Sequence, residues 1–182
     1  MFHKYILGID SCNLDSFFLS QEELQALFRK RAADAELSVL EGVMGYYDGI
    51  GGNSTSASTY EVATITDTPA ILVVNGKGSS LSLAAQIKGF LDYRKDSHIC
   101  GVIFNQMSPM LYPRMKKLVE EQLEVEVLGY VPKVEDCVIE SRHLGLVLPD
   151  EIPELKERLH KLAGVLEKTL DIDRILKLAQ KA

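Results

Sequence analysis

The chain has 182 residues, 20 Lys and Arg against 26 Asp and Glu, a net charge of −6 and 46% hydrophobic residues. That is one domain with a full core, and the acidic balance argues against a nucleic-acid binder, which concentrates Lys and Arg on one face. No apolar stretch approaches the roughly 20 residues of a membrane span, and the start Met1-Phe2-His3-Lys4-Tyr5 lacks the apolar core and cleavage site of a secretory signal. A cytoplasmic protein with no nucleic-acid and no membrane partner is expected. Cys12, Cys100 and Cys137 have no C-x-x-C spacing, so neither a disulfide framework nor a zinc site is indicated.

Along the chain, Ser20-Gln21-Glu22-Glu23 is a capping box that opens a helix through about Ala35. Residues 37–40 (Leu-Ser-Val-Leu) read as a first strand. The small, polar run at 49–59 reads as a loop entering a helix. Strands are expected at 70–74, 99–104 and 125–131, each nearly continuous in hydrophobicity, as a strand covered on both faces is. Helical spacing at 81–93 and 112–123 separates them. Strands alternating with helices imply parallel pairing through right-handed crossovers, an α/β domain. Pro149 and Pro153 introduce a change of pattern, a charged helix to about Leu170 and a last helix at 172–180. The expected organisation is an α/β domain over 1–148 with a helical tail over 149–182 packed on it.

In open α/β sheets ligands bind beyond the carboxyl ends of the strands. Residues 41–49, Glu-Gly-Val-Met-Gly-Tyr-Tyr-Asp-Gly, follow the first expected strand. A carboxylate at a strand tip followed by glycines suits a magnesium ion bridging phosphates, and Asp48 places a second carboxylate nearby; a plain turn with two exposed acids is the competing reading. Tyr46 and Tyr47 either stack on a flat ligand or pack. Asn75-Gly76-Lys77-Gly78 is not a Walker A sequence, because Gly78 rather than Ser or Thr follows Lys77 and Ile71 stands where the leading Gly belongs. His98 and His160 read as structural or solvated, Lys77 as a solvated turn residue, and the charges between Glu151 and Lys168 as a solvated helix face.

The run at 41–49 closely resembles the signature of cobyrinic acid a,c-diamide synthases, ATP-dependent amidotransferases of the dethiobiotin-synthetase-like group of P-loop proteins. Ser11-Cys12-Asn13-Leu14-Asp15-Ser16-Phe17-Phe18-Leu19, the strand and turn from Ala70 through Gly76-Lys77-Gly78, Gly101-Val102-Ile103-Phe104-Asn105, Val127-Leu128-Gly129-Tyr130-Val131-Pro132 and Glu140-Ser141-Arg142-His143-Leu144-Gly145-Leu146-Val147 are similar to further blocks of that family, in order. The resemblance implies a three-layer, mostly parallel P-loop fold with its P-loop strand missing. It also implies a ligase: ATP phosphorylates carboxylates of a corrin precursor, and glutamine-derived ammonia converts each acyl phosphate to an amide. Glu41 would be the Mg2+ and phosphate-site carboxylate, Asp48 would act at the substrate carboxylate, and Asn105 with Pro132 would meet the nucleotide. Tyr47, Arg142 and His143 would contact the corrin, although His143 on composition alone reads as structural. The family's phosphate-binding loop and its glutaminase half are not in the chain, so a glutaminase domain or subunit is an implied partner, weak ATP binding by this segment alone is expected, and open strand edges would favour domain swapping or a homodimer. A dethiobiotin synthetase or cobyric acid synthase, and a non-catalytic binding module, are the alternatives.

Overall fold

The computed structural model describes residues 7–137 and 154–180. Helix α1 (Gln21–Ala32) begins where the capping box places it: the Ser20 hydroxyl accepts the Glu23 amide at 3.3 Å, and the Glu23 carboxylate accepts the Ser20 amide at 2.9 Å. Those bonds to the ionised form hold the Glu23 carboxyl below the usual carboxylate range. α1 packs on the short helix α2 (Thr59–Thr66), joined by a bond from the Gln25 amide to the Ile65 carbonyl at 2.8 Å.

Three parallel strands follow, β1 (Ala70–Asn75), β2 (Ile99–Asn105) and β3 (Glu126–Val131), in the spatial order of the chain. The crossovers are α3 (Leu81–Tyr93) and α4 (Tyr112–Leu123). Both lie on one face of the sheet, where Leu83, Ala84 and Ile87 of α3 and Met115 and Val119 of α4 bury Leu72, Val74, Val102, Phe104 and Val127. After α5 (Leu155–Thr169), α6 (Ile172–Ala179) covers part of the opposite face, setting Leu178 against Ile103 and Leu128. This is an α/β fold with a parallel sheet between helices; β2 is covered on both faces, whereas β1 buries Leu72 and Val74 under α3 and leaves Val73 59% exposed on the other face.

Residues 37–40 are not a strand. They run without regular structure, and Val39 is 85% exposed. An apolar run becomes a buried strand only where a neighbour completes its ladder and helices cover it; among the described residues the ladder ends at β1, so the run has neither. Glu41 is therefore not at a strand tip.

The outer edge of β3 is sealed. The Val127 amide donates to the Glu120 carboxylate at 3.1 Å, Lys116 Nζ donates to the Val127 carbonyl at 2.9 Å, and the Asp171 amide donates to the Leu128 carbonyl at 2.8 Å. Where the chain enters α6 it passes so close to Gly129, at φ 136°, that a Cβ there would stand 2.3 Å from the Thr169 carbonyl oxygen. Arg174 and Glu126 form a forked ion pair that fixes α6 to the start of β3. No helix of the described residues is long and apolar enough to cross a membrane.

Candidate functional site

The three strands end level with one another, Asn75 opposite Asn105 and Asn105 opposite Val131. Each following loop returns to its neighbour: the Gly76 amide donates to the Asn105 carbonyl at 2.7 Å, and the Met107 amide to the Val131 carbonyl at 3.1 Å. The two asparagines close their own turns, Asn75 Oδ1 accepting the Lys77 amide and Asn105 Oδ1 accepting the Gln106 amide, both at 3.0 Å. Asn105 and half-buried Pro132 are thus brought together at the carboxyl ends of adjacent strands.

Residues 41–49 lie against the start of α2. A Cβ at Gly42 would stand 2.7 Å from Thr59 Cγ2, so glycine permits the close approach. The loop turns at 45–48, where the Asp48 amide donates to the Gly45 carbonyl at 2.9 Å. The Asp48 carboxylate folds over Gly45, leaving no room for a side chain there. The loop then runs alongside residues 54–56, with the Gly49 amide bonded to the Ser54 carbonyl at 3.0 Å and the Ile50 amide to the Ser56 carbonyl at 2.9 Å. Glu41 and Asp48 are both exposed, at opposite ends of the loop.

Between them the two tyrosines turn inward. The Tyr46 hydroxyl donates to the Ser97 carbonyl, and the Tyr47 hydroxyl donates to the Phe90 carbonyl at 2.7 Å. The Tyr47 ring stacks on Phe90 at 6.0 Å and 18°, and leans on Tyr60 and Tyr93. Burial, then the neighbouring Tyr47, pushes the Tyr46 phenol well above its ordinary range, and burial raises that of Tyr47; both remain hydrogen-bond donors at neutral pH.

Beside the loop, a cavity of about 370 Å³ opens between the residues leading into α1 and helix α2, lined by Ser16, Thr55, Tyr60, Glu61, Thr64 and Ile65 among others. Glu61 organises it: its Oε2 accepts the Ser16 hydroxyl at 2.6 Å and the Ala57 amide at 2.7 Å. Sequence reasoning missed Glu61, although Ser58-Thr59-Tyr60-Glu61 has capping-box spacing, and Ser58 does cap α2. It missed Tyr60 and the carbonyl partners of Tyr46 and Tyr47 as well. Arg142 and His143 lie outside the described residues.

Among the described residues no group of three or more His, Cys, Asp or Glu gathers in a way that would hold a metal ion. Magnesium takes one or two protein carboxylates and completes its shell with phosphate oxygens and water. Glu41 and Asp48 supply hard oxygen donors of that kind.

Residues 16–141 match the protein family described as AAA domain. The chain is 39% identical over 181 residues to a cobyrinate a,c-diamide synthase of Caldanaerobacter subterraneus subsp. tengcongensis, covering 99% of this chain and 40% of that protein. It is 38% identical over 183 residues to one of Methanocaldococcus jannaschii, covering 99% and 41%, and 39% identical over 178 residues to one of Salmonella typhimurium, covering 97% and 39%. The chain therefore spans about two-fifths of the length of these curated relatives. No solved structure matches. With well over half its length inside the family match, the chain belongs to the AAA-domain family, and over nearly its whole length it is similar to cobyrinate a,c-diamide synthases.

Proposed function

We propose that this chain is the nucleotide- and substrate-facing α/β part of an ATP-dependent ligase that amidates carboxylates of a corrin precursor of the cobyrinic acid type. One observation carries the reading. The loop at 41–49, which presents an exposed carboxylate at each end, is held by a glycine-rich close approach to α2, within a chain 39% identical to a cobyrinate a,c-diamide synthase. The reaction transfers the terminal phosphoryl group of ATP to a corrin carboxylate, releasing ADP. Ammonia then attacks the acyl carbon and phosphate leaves, with the amide as product.

Such chemistry asks a protein for positioning and charge neutralisation more than for covalent participation. Glu41 holds Mg2+ in this reading, and the ion would neutralise phosphate charge. Asp48 acts at the substrate carboxylate, orienting it against the phosphoryl group. Asn105 and Pro132, at the level ends of β2 and β3, face the nucleotide base. Tyr47, on the same turn as Asp48, belongs to the substrate side together with Arg142 and His143. The phosphate cradle is not built from residues 1–182, which contain no Gly-x-x-x-x-Gly-Lys-[Ser/Thr] sequence. A glutaminase domain or subunit supplies the ammonia, and residues 154–180 form a helical extension of the same domain.

The test is ADP release by the full-length protein with Mg-ATP, ammonium and cobyrinic acid. The reading expects release that depends on the corrin and falls at least a hundredfold in Asp48→Asn. Release that is indifferent to the corrin, or to Asp48, would overturn it, and a response to a diamino acid instead would favour a dethiobiotin-synthetase-like ligase.

A further inference from the structure

The loop at 41–49 is tied to the domain by its two adjacent tyrosines. Each hydroxyl donates to a main-chain carbonyl of the stretch that runs from the end of α3 into β2: Tyr47 to Phe90, in the last turn of α3, and Tyr46 to Ser97, two residues before β2. The Tyr46 carbonyl accepts the Tyr60 amide at 2.9 Å from the first turn of α2, so the same residue is bonded at both ends. Phe90 and Ser97 bracket the entry to the strand that ends in Asn105.

These bonds have chemical content beyond packing. A carbonyl in the last turn of a helix has no partner within its helix, so a hydroxyl that satisfies it gains a fixed acceptor, and a ring pressed against the same helix gains a fixed plane. The Tyr47 ring has both, being stacked on Phe90 while its hydroxyl reaches the Phe90 carbonyl. Asp48 is the next residue, and its amide closes the turn onto Gly45. With Tyr47 anchored on α3, and Tyr46 on Ser97 just before β2 and on the first turn of α2, the backbone leading into Asp48 is held at both tyrosines.

We infer that Tyr46 and Tyr47 are positioning residues: their hydroxyls lock the turn at 45–48 to the α3–β2 segment and so aim the Asp48 carboxylate, and Tyr47 acts on the substrate through Asp48 rather than by stacking on it. The inference rests on the reading of Asp48 given above, and it deepens that reading by assigning how the carboxylate is held. It accounts for the inward turn of two amphipathic rings in a loop whose other side chains, Val43 and Met44, are exposed at 88% and 71%.

Tyr46→Phe and Tyr47→Phe keep each ring and delete only the hydroxyl. In the full-length protein each should lower kcat for corrin-dependent ADP release at least fivefold while the KM for cobyrinic acid stays within twofold. The double variant should fall little further than the worse single one, because both bonds hold one turn. Hydrogen exchange provides the second readout: in either variant the Asp48, Gly49 and Ile50 amides should exchange at least tenfold faster, with α1 and β3 unchanged. A KM that rises at constant kcat identifies a substrate contact and overturns the assignment, as does wild-type exchange at 48–50 whatever the turnover. Asp48→Asn, assayed alongside, separates the two ideas. Full turnover in that variant defeats the reading of Asp48, whereas low turnover there with wild-type behaviour of both phenylalanine variants defeats the anchors alone.

Discussion

Gly49 closes the loop at 41–49, and its substitution by alanine tests the loop's construction without touching a charged group. Its φ of −119° suits any residue, so the demand for glycine is one of space. A Cβ there would stand 2.1 Å from the Ser56 carbonyl oxygen and 2.7 Å from that of Ser54, both main-chain atoms that cannot swing aside. Relief requires residues 54–56 to move away, which breaks the Gly49–Ser54 and Ile50–Ser56 bonds. Two such bonds at about 1 kcal/mol each come to about 2 kcal/mol, and for a chain of this size that lowers Tm by about 4–8 °C. Differential scanning calorimetry on Gly49→Ala measures it directly. Gly89→Ala is the control, since Gly89 lies inside α3 with no atom within 4 Å of a new Cβ and alanine there should raise Tm through helix propensity. A Gly49→Ala melt within about 1 °C of the parent would show that the loop is not packed as described.

Other perturbations probe other joints. Gly129→Ala drives a Cβ into the Thr169 carbonyl at a φ of 136°, so it should destabilise more than Gly49→Ala does and free α6 to exchange, as hydrogen exchange across 170–180 would report. Replacing both Lys116 and Glu120 by alanine uncovers the amide and carbonyl of Val127; a loss of about 2 kcal/mol in urea unfolding is expected, together with concentration-dependent association in sedimentation. Glu23 has a depressed pKa in the folded state, so its contribution is complete above the ordinary carboxylate pKa and is lost as pH falls through the depressed value. Glu23→Gln should therefore lower Tm at pH 7 and flatten the acid limb of the Tm–pH curve, whereas an unchanged acid limb would show that the capping carboxylate carries none of it.

The parts of the fold legible in the sequence are those where local pattern and tertiary environment agree. Continuous apolar runs at 70–74, 99–104 and 125–131 are strands because each finds a parallel neighbour and packs against the crossover helices, and the Ser20–Glu23 box fixes the start of α1 because its bonds are local. Residues 37–40 mislead for the opposite reason, since an apolar run carries no information about whether a neighbouring strand exists to pair with it. At the site, the glycines of 41–49 announce close approach, and the structure shows what is approached: Thr59 by Gly42, the Asp48 carboxylate by Gly45, and Ser54 and Ser56 by Gly49. Packing was one of two readings open for Tyr46 and Tyr47, and their acceptors were not legible, because these are main-chain carbonyls 51 and 43 residues away and a carbonyl has no sequence signature. Glu61 escaped notice because its carboxylate serves Ser16 and Ala57 rather than the N-cap amide its spacing suggests.

The central claim is that the carboxylates of the loop at 41–49 serve amide formation on a corrin. Mass spectrometry of the corrin after incubation of the full-length protein with cobyrinic acid, Mg-ATP and glutamine addresses it most directly. Two successive exchanges of a hydroxyl for an amino group are expected, each accompanied by one ADP and both lost in Glu41→Gln and Asp48→Asn. An unmodified corrin under conditions where ATP is consumed, or full conversion by either variant, would contradict the account.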